Sequence, residues 1–212
     1  MDRDCNCRRL TECEPRSDYA PGVRWVLAVS GAAALGKTTL CKSVVSLALQ
    51  RQLAAEVVAL DGFLIERDTR IAMDISGYDH RATNFTDLHA CLHQLIQRGH
   101  ETWFPTYSHE NKGKRGAPTL HQPRRLLILD GIASLQHDVR RVFPNITLFL
   151  SSDAPTRSRL RRAVDERRGH IYKLPADDPR EETAYVEFIA PQETSADFVV
   201  RVMNHGVYDW SG

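Results

Sequence analysis

A chain of 212 residues with 42% hydrophobic and 26% charged side chains can bury a sizeable core as one domain, and it is too apolar to be a disordered chain. Its 28 Lys and Arg against 27 Asp and Glu leave a formal charge of +1, which removes any global electrostatic case for a nucleic-acid or membrane partner. No apolar stretch approaches the ~18 residues of a membrane span. The charged first residues and the odd count of five cysteines fit a cytoplasmic, reducing setting.

In chain order, residues 1–23 are polar and broken by Pro15, Pro21 and Gly22, so they read as an extension ahead of a domain over 24–212. Cys5, Cys7 and Cys13 lie in it, and no fourth ligand at zinc spacing accompanies them. The near-continuous apolar run Trp25–Ser30 predicts a strand buried on both faces. Gly31-Ala-Ala-Ala-Leu-Gly36-Lys37-Thr38 follows, a match to G-x-x-x-x-G-K-[ST], with Thr39 behind it. Glycines at both ends let the backbone wrap so that successive N–H groups face phosphate oxygens, and the following helix adds its dipole. Gly31, Ala32, Ala33, Ala34, Leu35, Gly36, Lys37, Thr38 and Thr39 are therefore the expected nucleotide site. Lys37 reaches the β- and γ-phosphates of ATP, and the Thr38 hydroxyl suits Mg²⁺. Leu40, Val44, Leu47 and Ala48 form an amphipathic stripe that predicts a helix over Lys37–Leu53.

A second strand, Val57–Leu60, runs into Asp61-Gly62, and a third, Leu126–Leu129, runs into Asp130-Gly131. In a parallel sheet both carboxylates fall on the rim that carries the phosphate loop. One can hold Mg²⁺ and the other can take the proton of an attacking hydroxyl, although Asp-Gly is also an ordinary turn pair. Between them, Tyr78, His80 and Arg81 could complete a pocket. A helix is predicted over Thr86–Arg98, stopped by Gly99. Residues 104–125 are polar and basic, and read either as a substrate-binding flap with Tyr107 and His109 or as a surface loop. Further strands are expected at Ile146–Leu150 and Phe198–Val202. Six arginines crowd 157–168, with Arg157, Arg161 and Arg168 on one helical face, Arg162 beside Arg161, and Asp165 placed to pair with Arg161. That helix is either a lid at about 154–170 that brings Arg161 and Arg162 to the transferring phosphoryl group, a solvated charged helix, or a nucleic-acid-binding one. Strands alternating with helices predict an α/β fold: a doubly wound, mainly parallel five-stranded sheet of P-loop NTPase type, covered on both faces.

The phosphate loop, Leu60-Asp-Gly-Phe63, Gly77-Tyr-Asp-His80, Phe104-Pro-Thr-Tyr-Ser-His109, Leu129-Asp-Gly-Ile132 and a closing Tyr185, Phe188, Pro191, Ala196-Asp197 pattern follow one another in this order. In that order, over roughly 24–202, the chain resembles the uridine kinase, pantothenate kinase and phosphoribulokinase superfamily. The resemblance implies that Asp61 is the catalytic base, that Tyr107 and His109 touch substrate, and that Asp130, where many relatives carry glutamate, serves the metal. It also favours the lid reading of the arginine helix. Gly62 stands where uridine kinases carry a serine or similar polar residue.

These features point to an ATP-dependent kinase acting on a hydroxyl of a nucleoside, vitamin or sugar, with no nucleic-acid or membrane partner. A P-loop switch would need a guanine-reading Asn-Lys-x-Asp after a strand, and Asn111-Lys-Gly-Lys114 lacks the aspartate. A non-catalytic nucleotide-binding module would show loss of the lysine or the acids, and Lys37, Asp61 and Asp130 are all present.

Overall fold

The computed structural model describes residues 16–108, 111, 113–167, 179–203 and 207–209. In chain order its strands are β1 (Trp25–Gly31), β2 (Ala55–Ala59), β3 (Thr102–Ser108), β4 (Lys114–His121), β5 (Leu126–Asp130), β6 (Ile146–Ser151), β7 (Phe198–Val202) and β8 (Tyr208–Asp209). The α-helices are α1 (Lys37–Gln50), α2 (Arg67–Ala72), α3 (Phe85–Leu92), α4 (His137–Arg140), α5 (Ala154–Arg167) and α6 (Pro179–Ala184). Cys5, Cys7, Cys13, His109, Arg168 and Gly169 lie outside the described residues.

Six strands form the main sheet in the order β2-β5-β1-β6-β7-β8. The five expected strands pair in parallel, and β8 adds an antiparallel edge. In β5, the consecutive residues Leu127, Ile128 and Leu129 are all fully buried. Successive side chains of a strand point to opposite faces, so both faces of the sheet are covered at its centre. From β1 the chain crosses to β2, returns to β5 and then crosses β1 to β6, which opens a crevice at the carboxyl ends of the central strands. Register levels that rim, because Val29 of β1 and Ala59 of β2 both align with Asp130 of β5.

Helix α1 packs against β1, β2 and β5 through Leu40, Cys41 and Ala48, with Val44 and Val45 beside them. Leu47, expected in the buried stripe, is 49% exposed, so the stripe lies about one residue off the predicted face. Asn84 caps α3 by accepting the Asp87 N–H, and the helix continues as a π-turn through His93–Gln97 to Gly99 (φ 70°). Leu88, Leu92, Leu95 and Ile96 are fully buried along it. Asp153 caps α5 by accepting the Thr156 N–H at 2.7 Å.

Two expectations are corrected. Part of the predicted extension is docked: Ala20 and Val23 are buried, and the Ala20 N–H donates to Ile96 O at 2.9 Å. Pro21 and Gly22 lie in a turn, and a turn can still carry apolar side chains into a core. The polar segment after Phe104 is neither a loose loop nor entirely outside the core. It belongs to an antiparallel β3–β4 hairpin whose register shifts between Phe104 and Thr106. Phe104 is buried edge-on between Phe63 (5.6 Å) and His121 (5.0 Å), and His121 Nδ1 lies 2.6 Å from Glu56 Oε1.

The hairpin lies against the Asp61–Phe63 turn so closely that a Cβ on Gly62 would stand 1.7 Å from the Pro105 carbonyl oxygen. Gly62→Ala must therefore push the hairpin outward, and we expect it to destabilise the fold by about 2–3 kcal/mol in urea unfolding. A loss below about 0.5 kcal/mol would mean that the hairpin yields freely.

Candidate active site

The loop between β1 and α1 is shaped by backbone conformations that few residues accept. Gly31 (φ 133°) and Gly36 (φ 86°) are left-handed, and Ala34 (φ 66°) adopts a left-handed conformation at a strain of about 1–2 kcal/mol. A Cβ on Gly31 would stand 2.4 Å from Leu150 O of β6. Ala32 and Leu35 are buried beneath the loop and anchor it to the core. Lys37 Nζ folds back to donate to Gly31 O (3.0 Å) and Ala32 O (2.8 Å). From the sheet edge, the Tyr208 hydroxyl donates to Gly36 O at 3.1 Å.

Thr38 and Asp130 meet across the start of α1, the threonine Oγ1 donating to Asp130 Oδ2 at 2.6 Å. Asp61 leans in from the end of β2, its Oδ1 3.3 Å from where a Cβ on Gly131 would lie. The parallel register thus brings the lysine, the threonine and both carboxylates to one place. Burial holds the Asp130 carboxyl above its ordinary pKa, and Asp61 pushes the same way, against the Thr38 hydrogen bond and the Lys37 charge. Desolvation holds Lys37 below the ordinary lysine value, with Asp61 and Asp130 opposing. Among the described residues no three His, Cys, Asp or Glu side chains cluster to enclose a metal ion. The Thr38–Asp130 oxygen pair nevertheless suits Mg²⁺, a hard cation that keeps waters and shares its ligands with phosphates.

These groups open into a cleft of about 870 Å³. Of the expected site residues it is lined by Ala33, Ala34, Gly36, Lys37, Thr38 and Thr39 on the loop side. Asp61, Asp130, Tyr78, Tyr107 and Arg161 line it as well. Tyr78, expected to touch substrate, has its hydroxyl on the phosphate loop, where it accepts the Ala33 N–H at 2.9 Å. His80 and Arg81 do not line the cleft. His80 packs on Phe188 at 5.5 Å, and Arg81 turns to Asp79 at 2.6 Å, the same aspartate that caps their 3₁₀ turn. Arg162 is exposed and also absent from the lining, because one residue along a helix turns the side chain ~100° away from Arg161.

Arg157, by contrast, lines the cleft. It lies 3.8 Å over the Tyr185 ring, pairs with Glu182 and donates to Ser152 O. Arg161 pairs with the buried Asp165 at 3.2 Å, as the i, i+4 spacing implied. The cleft also takes Arg67, Arg70, Ile71 and Ile75 from α2 and its exit, and Glu181 and Glu182 from α6. Both helices are six residues long and escaped the sequence reading, since so few turns show no periodicity. The Tyr185 of the closing motif was the one signal pointing to that wall.

Residues 26–207 match the family model described as the phosphoribulokinase / uridine kinase family. A uridine kinase from Shewanella halifaxensis is 26% identical over 186 residues, covering 82% of this chain and 86% of that protein. One from Haemophilus ducreyi is 24% identical over 194 residues, covering 82% and 84%. Among solved structures, the phosphoribulokinase from Rhodobacter spheroides superposes with a TM-score of 0.67 at 15% identity, covering 89% of this chain and 72% of that one.

The site's electrostatics carry a sign. Asp130, held above its ordinary 3.8, binds more protons folded than unfolded, so its contribution to stability falls as pH rises from 3.8 through the folded value. Lys37, held below its ordinary 10.5, mirrors this: its contribution falls as pH drops from 10.5 through the folded value. Asp130→Asn removes the buried charge and keeps an acceptor for Thr38. Denaturant unfolding of the nucleotide-free protein should show a higher midpoint at neutral pH and should lose the fall in stability that Asp130 contributes as pH rises above 3.8. A lower midpoint would mean that attraction to Lys37 outweighs the desolvation of Asp130.

Proposed function

The chain belongs to the phosphoribulokinase / uridine kinase family, and from that premise we propose how its residues divide the work of a phosphoryl transfer. The protein is an ATP-dependent kinase that places the γ-phosphate on a hydroxyl of a small molecule. The observation carrying the assignment of roles is the convergence of Lys37, Thr38, Asp61 and Asp130 on one rim of the sheet, where all four line one cleft.

In this reading the backbone N–H groups of 32–39 cradle the triphosphate, and Lys37 exchanges its two carbonyl partners for β- and γ-phosphate oxygens. The acceptor hydroxyl attacks the γ-phosphorus as the bond to the β–γ bridging oxygen breaks. Asp61 takes the hydroxyl proton, and ADP leaves with the electron pair of the broken bond. Arg157 and Arg161, already in the cleft, supply positive charge to the transferring group as α5 closes over it. Thr38 and Asp130 would hold Mg²⁺, which neutralises charge on the β- and γ-oxygens. Tyr78, bound to Ala33 N–H, ties the loop after α2 to the phosphate loop.

Lys37→Ala should lower kcat by about 10²–10³-fold in a protein that still folds, measured by ADP release. Near-normal turnover in that variant would remove the assignment. Asp61→Asn keeps the shape without the basicity, and kcat should fall by roughly 10²–10⁴-fold with nucleotide affinity nearly unchanged. In Asp130→Asn, by contrast, part of the activity should return as Mg²⁺ is raised.

The two neighbouring arginines separate by direction. Arg161→Ala should reduce kcat at least about 10-fold more than Arg162→Ala does, with both variants binding ATP like the parent. Equal losses would place Arg162 in the closed site as well.

A further inference from the structure

The basic side chains lining the cleft are not partnered alike. Arg157 meets Glu182, Arg161 meets Asp165, and Lys37 faces Asp61 and Asp130. Arg70 differs. Its Nε donates to Ile65 O at 2.9 Å and its Nη2 to the Tyr107 hydroxyl at 2.7 Å, both neutral oxygens. Among the described residues no carboxylate pairs with it. The acids around it are engaged elsewhere: Asp74 with Arg180 (2.8 Å), Glu66 with the Arg115 N–H (3.2 Å), and Glu181 with the Ser76 hydroxyl (3.0 Å).

Arg70 is also held in place. A Cβ on Gly77 would stand 2.5 Å from Nη1, so the guanidinium is seated between that glycine and Tyr107. A guanidinium carries five N–H donors, and the two hydrogen bonds to neutral oxygens leave most of its capacity for an anion. A half-buried cation with neutral partners has lost hydration that an opposite charge would restore. Arg67, one turn earlier on α2, lines the same cleft and adds to the positive potential. Asp61 lines this cleft too. It precedes Gly62, which lies against Pro105, two residues from Tyr107 on β3.

We infer that the acceptor is an anionic hydroxy compound whose carboxylate or phosphate is bound by Arg70, with Tyr107 and Gly77 fixing that side chain, while its hydroxyl is presented to Asp61. The inference rests on the kinase reading above and narrows it to a substrate class. A neutral nucleoside leaves the Arg70 charge uncompensated, whereas an anion completes it with charge-assisted and geometrically fixed hydrogen bonds.

The test uses matched acceptor pairs with Mg·ATP: glycerate against glycerol, pantothenate against pantothenol, ribulose 5-phosphate against ribulose, and uridine monophosphate against uridine. The carboxylate and phosphate arms tell which anion is held. An anionic member should exceed its neutral partner in kcat/KM by on the order of 10²-fold. Arg70→Gln should raise KM for that acceptor by a similar factor, with kcat and the KM for Mg·ATP changed far less. Arg70→Lys should recover part of the loss, and Gly77→Ala, which displaces the guanidinium without removing it, should reproduce the KM increase. Preference for a neutral member overturns the proposal, as does an Arg70→Gln effect of equal size on charged and neutral acceptors. The underlying kinase reading fails differently, through ATP turnover that survives Lys37→Ala.

Discussion

The parallel pairing of β5 between β1 and β2 is the constraint on which the site depends. It aligns Val29, Asp130 and Ala59 at one level. The phosphate loop leaving β1, the carboxylate ending β5 and the Asp61 turn leaving β2 must then share one edge. A slip of one residue would turn Asp130 to the opposite face of the sheet and break its 2.6 Å contact with Thr38. The fully buried Leu127, Ile128 and Leu129 oppose that slip, since each is packed on its own face. Core packing far from the chemistry therefore holds the chemical groups in register.

Concentrating these charges works against stability. Lys37 and Asp130 are both held in surroundings that disfavour their charged forms, Lys37 by desolvation and Asp130 by burial. Together with left-handed Ala34, they store unfavourable energy at the rim. In the proposed reading a nucleotide with its metal would reverse much of this, because phosphates would compensate the lysine and a cation the carboxylate.

The cleft wall around Arg70 and Tyr107 is built by different means. The β3–β4 hairpin presses its Pro105 carbonyl against Gly62 and carries Tyr107 to Arg70, while Gly77 leaves room for the guanidinium. Two glycines without side chains thus let a hairpin and a short helix close on one another. In the proposed reading the acceptor is chosen at this junction, away from the phosphate loop.

The phosphate loop, the five parallel strands and the pairing of Arg161 with Asp165 were all legible in the residue order. Each depends on interactions between neighbours along the chain: glycine conformations, continuous apolar runs, one turn of helix. The shared rim of Asp61 and Asp130 followed as soon as the sheet was taken as parallel. What the order did not reveal was set by packing between distant segments. Phe104 and His121 are buried because Phe63 and Glu56 meet them, not because their own segment is apolar. His80 and Arg81 turn away from the cleft because Phe188 and Asp79 capture them, and Arg157 enters it because Tyr185 and Glu182 stand opposite. Tyr208 reaches Gly36 from a strand of two residues, too short to carry any periodicity. Local chemistry determined which groups this protein possesses for phosphoryl transfer. Only tertiary contacts decided which side chains face the cleft, because orientation depends on partners that the linear order does not place side by side.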